Sequence, residues 1–227
     1  MKALATFALI ALVVAPSMPL HAGGVSRVTL TIRLYNTAGV PALELSSARD
    51  TARSILGDSG VDVSARHCGR AISGIVPVDQ CREPLKPAEV VVRIIDAPAF
   101  NTALDPDAFG VTYVVRETNR GWLATVFADR IEHAAARAGI AAGTLLGRVM
   151  AHEVGHLLLG SGYHGPAGVM RAEWPDATLT REGSDWRFSI TEAARMHRTL
   201  TSLATETHLL DGRSDKVVAV NAPIRAR

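Results

Sequence analysis

The sequence predicts an α+β fold, in which a sheet of about four or five strands packs on a long helix and a further helix ends the domain. Five short segments have the composition and alternation of β-strands. Longer stretches between and after them repeat apolar residues every three or four positions, as helices with a buried face do. Once an N-terminal leader is set aside, about 205 residues remain, which is the size of one domain.

The strands are predicted where apolar residues alternate or cluster between turn-forming residues. In chain order, the five segments are 28–35, 61–65, 89–95, 110–115 and 122–127. The third reads Glu-Val-Val-Val-Arg-Ile-Ile, and such a continuous apolar run is typical of a buried strand. A polar turn separates the last two, which are therefore expected to be neighbours in the sheet.

The helices are predicted where apolar residues recur with helical spacing and a helix-ending residue follows. In chain order, the helical segments are 41–56, 131–138, 141–159 and 191–203. The first stops at Gly57. The third is apolar almost all round and stops at Gly160, so it is expected to lie in the interior.

The N-terminus has the pattern of a secretory signal peptide. Met1 and Lys2 precede an apolar run, and Ala22 is a small residue at a plausible cleavage point. The run is short for a membrane span, and an uncleaved anchor is the alternative. The sequence therefore predicts a signal peptide over 1–22, a domain over 23–205, and a polar tail over 206–227 whose composition suits a disordered segment.

Secretion would place the two cysteines in an oxidising compartment. Cys68 and Cys81 flank a segment that contains Gly and Pro, and in an oxidising compartment such a pair is expected to form a disulfide. A cysteine that binds metal or acts as a nucleophile is the alternative, although neither residue belongs to a C-x-x-C pair. The expected location is extracellular or periplasmic.

The charge distribution excludes some partners. The chain has 24 Lys and Arg against 22 Asp and Glu, for a net charge of +2, and the two signs are interspersed. Without a basic patch, nucleic acid is not an expected partner. Aromatic residues make up 5% of the chain, which speaks against a broad surface for stacking on carbohydrate. The sequence indicates no oligomeric state.

His152, Glu153 and His156 form an H-E-x-x-H motif inside the predicted helix 141–159. Residues four apart lie on one face of a helix, so the two imidazoles can converge on one metal ion. The Glu is rotated by about 100° from the first His and can reach a water at the metal without binding the metal itself. This is the arrangement of a zinc-dependent hydrolase. The alternative is a pair of core histidines beside a Glu on the helix surface.

Over residues 152–174 the chain resembles the metzincin zinc peptidases, whose pattern is H-E-x-x-H-x-x-G-x-x-H followed by a methionine turn. Gly160 and His164 come one and two residues later than in that pattern, and Met170 follows Gly168 as in matrixin-like members. The stretch is also similar to predicted secreted bacterial peptidases with H-E-x-G-H-L-L-L-G, a later His and a G-x-M.

The resemblance implies a set of ligands. The two helix histidines and His164 would bind Zn²⁺, and Met170 would lie beneath the three imidazoles. A downstream Glu is the alternative third ligand, as in thermolysin-like enzymes, with Glu192 better placed than Glu173. For Met170 the alternative is an ordinary core methionine.

The resemblance also implies a topology. The sheet would be twisted and mostly parallel, with an antiparallel edge strand at 108–115 above the cleft, and an extended peptide could add to that edge as another strand. Tyr113 and Tyr163 are candidates by type for stabilising an oxyanion. Carboxylates that could orient the imidazoles are Asp129, Glu173, Asp176 and Asp185.

Together these observations predict a secreted zinc-dependent metallopeptidase. Zn²⁺ would activate a water, Glu153 would act as general base, and the substrate would be a protein or peptide. Two alternatives stay open: a zinc-containing binding module without turnover, and a zinc amidase that acts on cell-wall peptides. No membrane span is expected once the leader is removed.

Overall fold

The computed structural model describes residues 27–69, 81–98, 105–115 and 117–211, so the predicted signal peptide and the last part of the predicted tail lie outside the described residues. In chain order, the strands and helices are β1 (Val28–Asn36), α1 (Ala42–Asp58), β2 (Val61–Cys68), β3 (Glu89–Ile95), β4 (Gly110–Val115), β5 (Arg120–Phe127), α2 (Ala128–Ala138), α3 (Ala142–Leu159), α4 (Asp176–Leu179) and α5 (Ile190–Asp211).

The five strands form one mixed sheet in the order β2-β1-β3-β5-β4. β1 is parallel to both β2 and β3, and β3 is parallel to β5. β4 is antiparallel to β5 and lies at the edge of the sheet. The predicted α+β class is confirmed, and so is the antiparallel edge strand that was expected near 108–115.

The core lies between the sheet and helices α1 and α3. On β1, the alternating residues Leu30, Ile32 and Leu34 are each no more than 1% exposed, so one face of the strand is fully covered. Every residue of α3 from Leu145 to Leu159 is buried. A helix covered on all sides is apolar all round, which explains why its sequence shows no polar face.

The other face of β1 carries a buried ion pair. Arg33 is 2% exposed and pairs with Glu89, and its guanidinium also donates to the carbonyls of Glu83, at 2.6 Å, and Pro84, at 3.1 Å. These hydrogen bonds attach the segment that begins at Cys81 to strand β1. The predicted disulfide between Cys68 and Cys81 is present and joins the end of β2 to this segment.

Most element boundaries agree with the sequence predictions, and the clearest difference is the last helix. It was predicted to end at 203, but α5 continues to Asp211, into the segment assigned to the tail. An ion pair between Arg120 of β5 and Glu206, with one N–O distance of 3.0 Å, holds this extension against the sheet. Such a contact between distant residues has no signal in local periodicity.

In the part of the chain that the structure describes, no helix is both long enough and apolar enough to cross a membrane.

Candidate metal centre and active-site cleft

After helix α3 the chain turns back toward the histidine side chains of that helix. Gly160 follows the helix in the left-handed conformation, with φ of 60°, and its N–H donates to the carbonyl of His156. A Cβ atom at this position would lie 2.1 Å from the carbonyl oxygen of Asn119, in the turn between β4 and β5. Glycine is therefore required both by the backbone angle and by the neighbouring turn.

The turn after α3 brings a third histidine to the two on the helix. The Nε2 atom of His156 lies 3.0 Å from that of His152 and 3.2 Å from that of His164. The three side chains can offer one nitrogen each, all within 4.8 Å of one another. The two helix histidines are buried and His164 is exposed. Nitrogens this close cannot each carry a proton directed at the others, whereas lone pairs that converge suit a metal ion.

Backbone carbonyls determine the orientation of the buried imidazoles. Nδ1 of His152 donates to the carbonyl of Val169 at 2.7 Å, and Nδ1 of His156 donates to that of Ser161 at 2.9 Å. Because a carbonyl can only accept, each Nδ1 carries the proton and each Nε2 presents its lone pair to the cluster. The two helix histidines are therefore held in the tautomer that can bind a metal ion.

The carboxylates that the sequence offered for this orienting role do not perform it for His152 or His156. Glu173 is exposed on the rim of the cleft. The three aspartates have other partners, namely the Ala97 amide for Asp129, Arg137 for Asp176 and Arg171 for Asp185. For these two histidines that expectation was wrong, because the chain after α3 supplies acceptors from its own backbone.

Complete or partial desolvation favours the neutral form of the three imidazoles. Burial, with a smaller contribution from the neighbouring His156, lowers the pKa of His152 to about 3. Burial is also the main cause that lowers the pKa of His156 and of His164. Neutral imidazole is the form that binds a metal cation, so the site is ready for one at neutral pH.

Glu153 lies beside the cluster and is held by strand β4. Its side chain is 5% exposed, and its Oε2 accepts a hydrogen bond of 2.6 Å from the Thr112 hydroxyl. Burial raises the pKa of this carboxyl to about 7, and the Thr112 hydrogen bond opposes the shift. A group with a pKa near neutrality can both take and return a proton. Sequence reasoning missed Thr112, because pairing between strand and helix has no local signal.

Met170 lies beneath the helix that carries the cluster. It is fully buried, and a Cβ atom on Gly155 would lie 2.6 Å from its sulfur, so the helix approaches the methionine closely at this point. The carbonyl of Met170 accepts a hydrogen bond of 2.8 Å from Gly165, next to His164. Met170 thus packs between the helix and the loop that carries the third histidine.

Glu192, the rival third ligand, has a different role. Its Oε2 accepts from the Ser189 amide at 2.7 Å, while the Ser189 hydroxyl accepts from the Glu192 amide at 3.3 Å. This reciprocal pair is a capping box, which satisfies free donors at the start of α5. Among the described residues, the group of potential metal-binding side chains contains the three histidines and does not include Glu192 or Glu173.

The cluster lies in an open cleft of about 1170 Å³. Its lining includes the edge strand β4 and a rim formed by residues 171–175 after the methionine. On that rim Trp174 packs edge-on against the His152 ring, with 5.3 Å between ring centres. Of the described residues, those that line the cleft include Thr112 and His164 but not the adjacent Tyr113 and Tyr163, whose exposed fractions are 62% and 55%.

No protein-family model matches the chain, and no curated protein matches it in sequence. Among solved structures, the chain is similar to an archaemetzincin from Methanopyrus kandleri, with 20% identity, coverage of 80% of this chain and 99% of that one, and a TM-score of 0.46. It is also similar to metalloproteinase-II from Bacteroides fragilis, with 16% identity, coverage of 76% of this chain and 53% of that one, and a TM-score of 0.45. Both are likenesses of chain path at low sequence identity.

Proposed function

We propose that this chain is a zinc-dependent metallopeptidase. The observation that supports this most strongly is the convergence of three imidazole nitrogens, within 4.8 Å of one another, in an open cleft that Glu153 also lines. Three neutral nitrogen donors are a common set for a catalytic zinc ion. His152, His156 and His164 would hold the ion, and Met170 would support the loop and helix that carry them.

The roles of zinc and of the chain can be separated. When bound, zinc would act as a Lewis acid that polarises the scissile carbonyl and makes water more acidic. Glu153 would accept the proton of the attacking water and return one to the leaving amine. The oxygen Oε2 is held by Thr112, so Oε1 is the atom proposed to carry the proton during this transfer.

The substrate is proposed to be an extended protein or peptide segment. Phe109 accepts a hydrogen bond from the Phe127 amide, so these two residues form a hydrogen-bonded pair of the β4–β5 ladder. Such pairs alternate along antiparallel strands. The main-chain groups of Gly110 and Thr112 therefore point away from β5, along the free edge of the sheet. An extended peptide can pair with this edge and pass in front of the cluster.

A structural zinc site without turnover is less consistent with this geometry. Structural zinc is normally surrounded by four protein ligands. In the described part of the chain the cluster contains three, and the third of them, His164, is exposed. An accessible site with three donors leaves room for water and for a substrate carbonyl.

We also propose that the protein acts outside the cytoplasm, with a signal peptide over 1–22 removed. The disulfide between Cys68 and Cys81 supports this, because such bonds persist in oxidising compartments. Mass spectrometry of the protein recovered from culture medium or periplasm would test it. A mature chain that begins near residue 23 is expected, and a full-length chain in the cytoplasm would contradict the proposal.

The peptidase activity is tested by metal analysis and proteolysis of the same preparation. We expect about one zinc per chain, cleavage of casein or a mixed peptide library, loss of cleavage with a chelator, and recovery when zinc is added back. Glu153→Gln is the control, since it should keep zinc but lose most of the activity. Cleavage by Glu153→Gln at the parental rate would exclude Glu153 as the base. Cleavage of peptidoglycan peptides but not casein would instead indicate the cell-wall amidase.

A further inference from the structure

We propose that Thr112 is the positioning residue of this site, whose side chain fixes the Glu153 carboxylate while its main chain pairs with the substrate. The inference rests on the proposed peptidase function and adds a residue to it. In this arrangement, strand β4 both pairs with the substrate and positions the general base.

The Thr112 hydroxyl group holds the Glu153 carboxylate. Thr112 Oγ1 donates to Glu153 Oε2 at 2.6 Å and lies 3.1 Å from the Glu153 carbonyl oxygen. A hydroxyl has a single proton, and the shorter contact is to the carboxylate. Because Glu153 is only 5% exposed, its charged form depends on donors from the protein.

Gly110 confines the same carboxylate from the other side. It precedes Thr112 by two residues, so both lie on the same face of β4. A Cβ atom at Gly110 would lie 2.8 Å from Glu153 Oε1 and 2.9 Å from its Cδ. Strand β4 therefore provides the space for the carboxylate at one position and its hydrogen-bond donor at the next position on that face.

The pairing register of β4 and β5 determines where the main-chain groups of Thr112 point. The ladder hydrogen bond between Phe127 and Phe109 directs the main-chain groups of Thr112 to the free edge. A peptide that pairs with this edge is thereby held at a fixed offset from Glu153, through one residue of β4. Substrate placement and base placement then depend on one strand, which brings the reacting groups together at a fixed offset.

The test compares Thr112→Val, which keeps the branched shape but removes the hydroxyl, with Thr112→Ser, which keeps the hydroxyl. Because Thr112→Val preserves the main chain, KM is expected to stay within about twofold while kcat falls about tenfold to hundredfold. Zinc content should be unchanged, and Thr112→Ser should recover most of kcat. Thr125→Val is the matched control, since it removes a buried hydroxyl from β5 outside the cleft and should keep the parental kcat.

Gly110→Ala supplies a second variant should Thr112→Val fold poorly. It crowds the carboxylate without touching the hydroxyl, and it should lower kcat in the same way. Crystal structures of the zinc-loaded parent and Thr112→Val give a readout that does not depend on activity, and a displaced Glu153 carboxylate is expected in the variant.

Parental kcat in both Thr112→Val and Gly110→Ala would overturn the proposal, and so would a Glu153 carboxylate that keeps its place in Thr112→Val. A parent that cleaves no peptide would instead refute the peptidase function. In that case the two crystal structures would still decide whether Thr112 positions the carboxylate.

Discussion

Replacing Glu153 by Gln should stabilise the metal-free protein in alkaline solution. Burial raises the pKa of this carboxyl from 4.5 to about 7. In the folded protein the group therefore keeps its proton to a higher pH than in the unfolded chain. By linkage, the free energy of unfolding is highest below about pH 4.5 with respect to this group, and it decreases as the pH rises through about 7.

The size of the effect follows from the same shift. Each unit of pKa corresponds to about 1.4 kcal/mol, so ionising Glu153 costs the folded state on the order of 3 kcal/mol at pH 8. The glutamine side chain of the variant cannot ionise, and its amide oxygen can still accept from Thr112. The variant should therefore be more stable than the parent by about 3 kcal/mol at pH 8 and nearly equal to it at pH 4.5.

Urea denaturation of the chelator-treated proteins at the two pH values measures this difference. All other titrating groups are common to the two chains, so subtracting one curve from the other isolates Glu153. Glu173→Gln is the control, because it neutralises an exposed carboxylate on the same cleft and leaves Glu153 unchanged. A Glu153→Gln difference that is the same at both pH values would refute the burial argument.

Further outcomes are expected at neighbouring positions. His164→Ala should sharply reduce zinc content. Glu192→Ala should keep zinc and lose about 1 kcal/mol of stability, because it removes the capping box. Zinc loss in Glu192→Ala alone would make Glu192 the third ligand instead. Since the pKa of each histidine of the cluster is lowered, protons should displace zinc only well below pH 6.5. Metal analysis after dialysis against buffers from pH 7 to 3 measures the pH at which zinc is lost. Full zinc at pH 3 would argue against three imidazole ligands. Gly155→Val should cost about 1–3 kcal/mol and loosen zinc, because its side chain would collide with Met170 and Phe188; an unchanged thermal midpoint would show that the methionine is not packed there.

Much of the fold could be read from local patterns. The strand predicted over 89–95 and the one predicted over 110–115 have the observed bounds, since alternation and turn residues act within a few positions. The helix of the metal motif was predicted to within one residue, because its apolar run ends at a glycine that only a left-handed turn accommodates. The extension of α5 was missed, and its ion pair between Glu206 and Arg120 joins residues that are far apart in sequence.

The site divides in the same way. The H-E-x-x-H spacing placed two imidazoles on one helical face, and the glycine after the helix made His164 a plausible partner. Neither spacing nor composition could identify the acceptors for the imidazole Nδ1 atoms, which are the carbonyls of Val169 and Ser161. Every residue has a carbonyl, so a sequence contains no information about which one will face a histidine.

By itself the sequence determined the donor chemistry, because a spacing of four residues on a helix fixes which side chains share a face. Only the tertiary structure decided how that chemistry is poised. It brought the His164 ring, and not the Glu192 carboxylate, to the two helix histidines, and it placed Thr112 of the edge strand against Glu153. The physical reason is that burial and hydrogen bonding are set by neighbours distant in the chain, and these neighbours give a carboxyl its proton affinity and an imidazole its tautomer.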